Sequence, residues 1–416
     1  MKSLVIDGGY KLSGNVTVQG AKNGALPVLA ATILGGRSVI HNCPNLSDVD
    51  NSVKILQRLG CRVDRSNSDV IVESSEYLSC EIPQELMKCM RSSVIFLGAM
   101  LAKCGKAIVS APGGCELGER PIDLHLAAMA SLGASVREDN GFIVCSSAKR
   151  LRGAEIILSY PSVGATENIL LAAVTAEGRT VLRGAAREPE IVELAEFLNC
   201  MGGKVSGAGG NVITVDGVET LGNAEHTCIP DRIAAATYIA AAVTTRSEIS
   251  LCGVCRNDML SVIDVFERMG CEFCFKKESV RVKAPERPCS IKRIDTMPYP
   301  GFPTDAQAVV AAALATADGI SVINETVFGS RFKYINELIR LGVRARSSGG
   351  TVVISGVDRL SGAYCECTDL RGGAAVVVAA LGANGRSIVS RLCHIDRGYE
   401  DIEGKFASLG AKIYRT

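Results

Sequence analysis

The stretch APGGCELGERPIDLH, residues 111–125, sets one cysteine among glycines and follows it with Arg120, Asp123 and His125. The glycines free the backbone around Cys115, and Glu119 and Arg120 place ionic groups beside its thiol. Those are the surroundings in which a thiol serves as proton donor or nucleophile. The chain holds 17 cysteines, so Cys115 is distinguished by its neighbours and not by its type. A second set of chemically capable residues precedes six alanine-rich runs: Lys22-Asn23, Arg91-Ser92, Ser162-Val163-Gly164, Asp231-Arg232, Thr304-Asp305 and Asp369-Leu370-Arg371. A helix start offers unpaired N–H groups and a partial positive charge, which together make an anion site. Asp231, Thr304, Asp305 and Asp369 have the ordinary reading of N-cap or first-turn residues. Lys22, Arg91 and Arg371 do not, because a cation at that end is unfavourable by roughly 0.3–1 kcal/mol and calls for an anionic partner.

The elements that must position these residues repeat along the chain. A helical pattern ending in a large apolar residue and glycine recurs about every 70 residues, at Gly60, Gly133, Gly202, Gly270, Gly342 and Gly410. Each such run is amphipathic, as in Val262, Val265, Phe266 and Met269, and a short alternating strand follows it. Between these runs lie helices that are apolar nearly all round: Ala25–Leu34, Ser93–Ala102, Ala165–Ala176, Ile233–Val243, Ala306–Ala317 and Gly373–Ala383. Helices of that kind belong inside. The pattern predicts an α/β protein of six β-α-β-α-β modules, three in each of two inside-out domains, with the alanine-rich helices buried and the helix starts facing a cleft between the domains.

At 416 residues the chain is long enough for two or three domains. Its 45 basic and 44 acidic side chains leave a net charge of +1, which argues against a nucleic-acid partner. The opening MKSLVIDGGYKLSG has too short an apolar run for a secretory signal, and no run approaches the ~18 residues of a membrane span. A cytoplasmic location is expected. Cysteines inside apolar runs, such as Cys61 and Cys145, read as reduced and buried.

Cys252-x-x-Cys255 and Cys271-x-x-Cys274 have the spacing of a zinc site, but the interval contains an amphipathic helix, and strand residues three apart face opposite sides, so no metal is expected. GAGGN at 207–211 and SSGG at 347–350 read as hairpin turns between short strands. No paired histidine motif occurs. His125 is the histidine placed to support a ligand.

Several stretches together carry a resemblance that spans essentially the whole chain: VQGAKNGALP (18–27), MRSS (90–93), PGGCELGERPIDLH (112–125), SVGATEN (162–168), AAREPEIVELAEFL (185–198), PGFPTDAQA (300–308), DLRGGAA (369–375) and HIDRGYEDIE (394–403). The sequence resembles the UDP-N-acetylglucosamine 1-carboxyvinyltransferase family of enolpyruvyl transferases. The resemblance implies domains of residues 22–229 and of 1–21 with 230–416. It implies transfer of the enolpyruvyl group of phosphoenolpyruvate to the 3-hydroxyl of UDP-N-acetylglucosamine, with release of phosphate, as the committed step of peptidoglycan synthesis. No cofactor is implied, and a monomer is expected.

Carried over by residue, the resemblance makes Cys115 a general acid and the target of fosfomycin, and Asp305 the group that receives the sugar hydroxyl. Lys22, Arg120 and Arg397 surround phosphoenolpyruvate, with Arg91 and Arg371 nearby. Asn23, Pro121, Ile122, Asp123, Leu124, Ser162, Val163, Gly164 and Val327 match its nucleotide-sugar positions, and Asp231 and Asp369, taken from their helix starts, complete the substrate-binding set. The family often has a basic residue near position 160, where this chain has Ser159-Tyr160-Pro161 and supplies no charge. The 111–125 loop is expected to close over phosphoenolpyruvate. A shikimate-phosphate enolpyruvyl transferase is the alternative within the same fold, and a non-catalytic clamp or nucleotide-sugar sensor the alternative outside it.

Overall fold

The computed structural model describes residues 2–110 and 122–416. These divide into two compact units, one of residues 2–19 with 230–416 and the other of 20–110 with 122–229. The described residues form six sheets, three in each unit.

One module shows the common plan. Strand Glu155–Ile157 leads into the inner helix Val163–Ala173, then strand Arg179–Arg183, the outer helix Pro189–Cys200 and a hairpin of Val205–Ser206 with Val212–Asp216. The hairpin adds one strand to the five-element module read from the sequence. Its turn contains 207–211, as the GAGGN segment predicts. The last module ends differently, because its closing strand Lys412–Arg415 pairs antiparallel with Leu4–Gly8 from the chain's beginning. Asn15–Thr17 joins the same unit, running parallel to Glu248–Cys252. In the other unit Ala224–Thr227 runs parallel to Arg37–His41, so the last strand of that segment completes its first sheet.

The six periodic glycines follow the outer helices, and all six adopt left-handed backbone with φ between 92° and 108°. That conformation costs a residue bearing a Cβ roughly 1 kcal/mol or more, which accounts for the repeat. The inner helices are the cores. Every residue from Ile233 to Thr244 is buried, as is every residue of Gln307–Leu314. Alanine and glycine let these helices approach closely. A Cβ on Gly98 would lie 2.3 Å from the backbone oxygen of Asn168, and one on Gly382 would lie 2.5 Å from that of Thr244.

The Gly98–Asn168 contact is also polar. The Gly98 N–H donates to Asn168 Oδ1 at 2.6 Å, and Asn168 Nδ2 donates to the Val94 carbonyl at 3.0 Å. Those two backbone groups set the orientation of the amide. Its Nδ2 therefore also faces His125 Nδ1, at 2.8 Å, which must accept and so carries no proton. Burial, aided by the nearby Arg91 charge, lowers the His125 pKa from 6.5 to about 4. The unfolded chain consequently binds a proton at His125 near pH 6.5 that the folded chain refuses until near pH 4, and stability falls as pH falls through that window. The expected excess loss between pH 7 and 4.5, relative to a His125→Gln variant, is on the order of 1–3 kcal/mol in urea unfolding. Parallel pH dependences for the two proteins would show that His125 is not held neutral.

Candidate active site

In the unit of residues 20–110 and 122–229, Lys22 opens the helix Lys22–Ala31. It is only 8% exposed, and its Nζ lies 2.7 Å from Asp48 Oδ2, a carboxylate in the first turn of Ser47–Leu59. The anion demanded by a cation at a helix start is thus supplied in part by the protein itself. Asn23 follows, half-buried, and Arg91 opens the 3-10 turn Arg91–Ile95. Ser162 caps Val163–Ala173, its hydroxyl accepting the Ala165 N–H at 3.3 Å. Val163 and Gly164 form the first turn, and the His125 ring packs against Gly164, where a Cβ would stand 3.0 Å from Cε1. Ile122 precedes the helix Asp123–Ser131, on which Asp123 is exposed and Leu124 half-buried. Cys115, Arg120 and Pro121 lie outside the described residues.

The remaining candidates belong to the other unit. Asp231 caps Arg232–Thr244 and accepts the N–H groups of Ile233 and Ala234, both at 2.9 Å. Asp369 caps Leu370–Gly382 in the same manner, through the N–H groups of Arg371 and Gly372. Asp305 has no such duty. The helix behind it, Gln307–Leu314, starts after Ala306 without a side-chain cap. Asp305 Oδ1 instead receives Arg331 Nη2 at 2.6 Å, and Oδ2 receives Arg371 Nη2 at 3.1 Å. Both arginines are 3% exposed, whereas the Asp305 side chain is 26% exposed. Two guanidiniums thus orient a carboxylate that is itself only partly buried.

Arg371 also places Nη1 3.4 Å from the Tyr399 hydroxyl, with its guanidinium 5.6 Å from the Tyr399 ring centroid. Burial works against its charge, but Asp305, Tyr399 and Asp231 more than offset that, and the guanidinium is held protonated more firmly than an ordinary arginine. Arg397 ends the 3-10 turn Leu392–Arg397 and is half-buried. Val327 lies in the turn after strand Ile320–Asn324, its N–H donating to Glu325 Oε1 at 2.9 Å.

Two members of this group escaped the sequence reading. Arg331 and Glu325 stand in an irregular turn, away from the helix starts whose residue pattern marks the other candidates. Arg331 uses one nitrogen on Asp305, and its Nε and Nη1 are buried with no hydrogen-bond partner among the described residues. A buried arginine with unused donors is suited to an anionic or carbonyl acceptor. Among the described residues no three His, Cys, Asp or Glu side chains gather as a metal site. Cys271 is buried just before strand Glu272–Lys276, and Cys274 is exposed within it.

Residues 6–406 match the family model described as EPSP synthase (3-phosphoshikimate 1-carboxyvinyltransferase). The chain is 47% identical, over the full length of both proteins, to UDP-N-acetylglucosamine 1-carboxyvinyltransferase 2 of Caldanaerobacter subterraneus subsp. tengcongensis. It is 43% identical, again over the full length of both, to UDP-N-acetylglucosamine 1-carboxyvinyltransferase of Geobacter metallireducens. Among solved structures, the enolpyruvyl transferase NikO from Streptomyces tendae matches with a TM-score of 0.90 at 25% identity, covering 100% of this chain and 99% of that one. EPSP synthase from Acinetobacter baumannii shares the fold, with a TM-score of 0.78 at 18% identity and full coverage of both chains. A cation-bearing set of helix starts on two α/β units, matched along its whole length in these ways, places this chain in the EPSP synthase family of enolpyruvyl transferases.

Proposed function

We propose that the protein is a transferase of peptidoglycan synthesis that moves the enolpyruvyl group of phosphoenolpyruvate to the 3-hydroxyl of UDP-N-acetylglucosamine and releases phosphate. The observation that carries this reading is the end-to-end kinship, at 47% identity, with a protein named for that reaction. The chemistry is addition followed by elimination. The sugar oxygen bonds to C2 of phosphoenolpyruvate as a proton reaches the methylene carbon. A proton then leaves the resulting methyl group as the C–O bond to phosphate breaks.

The surroundings of Asp305 support the first step. Asp305, oriented by Arg331 and Arg371 and partly open to solvent, receives or orients the sugar hydroxyl. Lys22, Arg91, Arg120, Arg371 and Arg397 are assigned to the carboxylate and phosphate of phosphoenolpyruvate; of the four that are described, Lys22 and Arg371 are buried and Arg91 and Arg397 half-buried, where cations act most strongly. Cys115 is assigned as the proton donor to carbon. Asn23, the 120–124 segment, the Ser162-Val163-Gly164 helix start, Asp231, Val327 and Asp369 are assigned to holding the nucleotide sugar. The protein is proposed to act as a monomer in the cytoplasm, with small-molecule substrates and without nucleic acid, and to serve cell shape and division through the wall. The near-balanced charge fits that assignment, and no helix among the described residues is long and apolar enough to cross a membrane.

The reaction is tested by phosphate release from phosphoenolpyruvate. UDP-N-acetylglucosamine is expected to support turnover and shikimate 3-phosphate is not; the reverse preference, or none, would refute the acceptor. Replacing Asp305 with Asn should lower kcat by roughly 10²–10⁴-fold while nucleotide-sugar affinity changes only a few-fold. Titration calorimetry beside steady-state kinetics separates the two, and undiminished kcat would remove Asp305 from the mechanism. Fosfomycin, an epoxide, is expected to inactivate the protein by alkylating Cys115. Peptide mass mapping should find the adduct there, and full activity after saturating treatment would contradict the assignment.

A further inference from the structure

Glu325 is 6% exposed and accepts four hydrogen bonds. Its Oε1 takes the N–H of Val327 at 2.9 Å, the N–H of Phe328 at 3.1 Å and the Thr296 hydroxyl at 2.9 Å. Its Oε2 takes the Thr304 hydroxyl at 2.7 Å. A side chain that only closed its own turn would need one oxygen, for the two backbone donors. The second oxygen reaches instead to the residue immediately before Asp305.

A second connection runs the other way. Phe328, whose N–H is fixed by Glu325, lies beneath the Arg331 guanidinium, 5.2 Å from ring centroid to Cζ. Arg331 in turn donates to Asp305. Glu325 therefore governs Asp305 along two routes, through Thr304 in the backbone and through Phe328 and Arg331 from the side. The same carboxylate fixes the backbone of Val327. Thr296 holds the assembly down, since its hydroxyl also accepts the Thr326 N–H at 2.9 Å.

We propose that Glu325 is a positioning residue for the transfer reaction, setting the proton acceptor Asp305 and the acceptor-binding turn at Val327 in register with each other. This rests on the assignment of Asp305 and Val327 given above. Burying a carboxylate is costly unless its lone pairs are filled, and here four donors fill them. The Thr304 hydroxyl donates to Oε2, which leaves that side chain one orientation. A displacement of about 1 Å at the reacting hydroxyl is enough to cost on the order of 100-fold in rate, which is the scale at which such a residue acts.

The experiment compares Glu325→Ala, Glu325→Gln, Thr304→Val and Asp305→Asn in the full chain, measuring kcat, both KM values and thermal midpoints. Glu325→Ala is expected to lower kcat by roughly 10–100-fold and raise KM for UDP-N-acetylglucosamine several-fold, with KM for phosphoenolpyruvate within about twofold. Glu325→Gln keeps an oxygen for the Oε1 donors and can donate to Thr304, so it should recover at least about tenfold of that loss. Thr304→Val cuts only the arm toward Asp305 and keeps the question answerable if the alanine variant fails to fold. It should lower kcat about tenfold without changing KM for phosphoenolpyruvate. Parental kinetics in Thr304→Val, a lower thermal midpoint alone in Glu325→Ala, equal rises in both KM values, or a glutamine variant as slow as alanine would each overturn the proposal. Asp305→Asn separates the two levels. If it remains active, the reading of Asp305 fails; if it is inactive while the others match the parent, the role of Glu325 alone fails.

Discussion

The close packing of alanine-rich helices is the constraint from which the rest of this structure follows. Inner helices such as Arg232–Thr244 and Leu370–Gly382 are buried along nearly their whole length, and the contact of Gly382 with the Thr244 carbonyl leaves no room for a Cβ. Helices packed so closely can carry few polar side chains on their flanks, because every buried polar atom needs a partner. Polar residues are therefore driven to the helix starts, where unpaired N–H groups must be satisfied in any case. Ser162, Asp231 and Asp369 answer that need as caps. Lys22 and Arg371 occupy equivalent places with the opposite charge, and the protein spends Asp48 and Asp305 on holding them.

Such pairs are poor devices for stability. Removing a charge from water costs several kcal/mol per ion, and well-packed apolar residues of similar size would serve the fold as well or better. The arrangement is better understood through what it leaves available. Arg331 is fixed by Asp305 at one nitrogen and has buried donors unused, and Asp305 is fixed by two guanidiniums while a quarter of its side chain meets solvent. In each case the pairing settles orientation before any ligand arrives, which lowers the ordering cost at the moment of binding.

The periodic part of this design was legible in the sequence because it is local. A glycine forced to positive φ after each outer helix, and an inner helix without a polar face, are properties of ten or twelve consecutive residues, and all six copies showed them. Helix-start cations were legible for the same reason: Lys22 and Arg371 violate an electrostatic preference that can be read from neighbours alone. Asp305 is marked in the sequence by the resemblance and by its place before an alanine-rich run, but it is not the cap or first-turn residue that this place suggests, since the helix begins only at Gln307. Arg331 and Glu325 were not legible. Their partners lie 21 to 29 residues away across an irregular turn, and no periodicity or cap rule links Thr296, Thr304 and Glu325. The pairing of Leu4–Gly8 with Ala383–Ser390 is likewise invisible to any local rule.

This division between local and distant determinants has a consequence for how the proposed site is built. Of the residues assigned to bind charge, Lys22 and Arg371 sit at the starts of inner helices, whose placement the buried cores secure. Asp305, the assigned proton acceptor, sits outside that scheme, in an irregular segment between cis-Pro300 and the start of Gln307–Leu314. Irregular backbone has no helical or sheet ladder to fix it, and must be fixed by side chains. The two arginines and the glutamate supply that function for Asp305: Arg331 and Arg371 hold its oxygens, and Glu325 holds the side-chain hydroxyl of the preceding Thr304 and the turn that carries Arg331. The placement of Lys22 and Arg371 thus follows from the repeated architecture, whereas that of Asp305, the carboxylate assigned to the proton, depends on a few long-range contacts that no periodicity supplies.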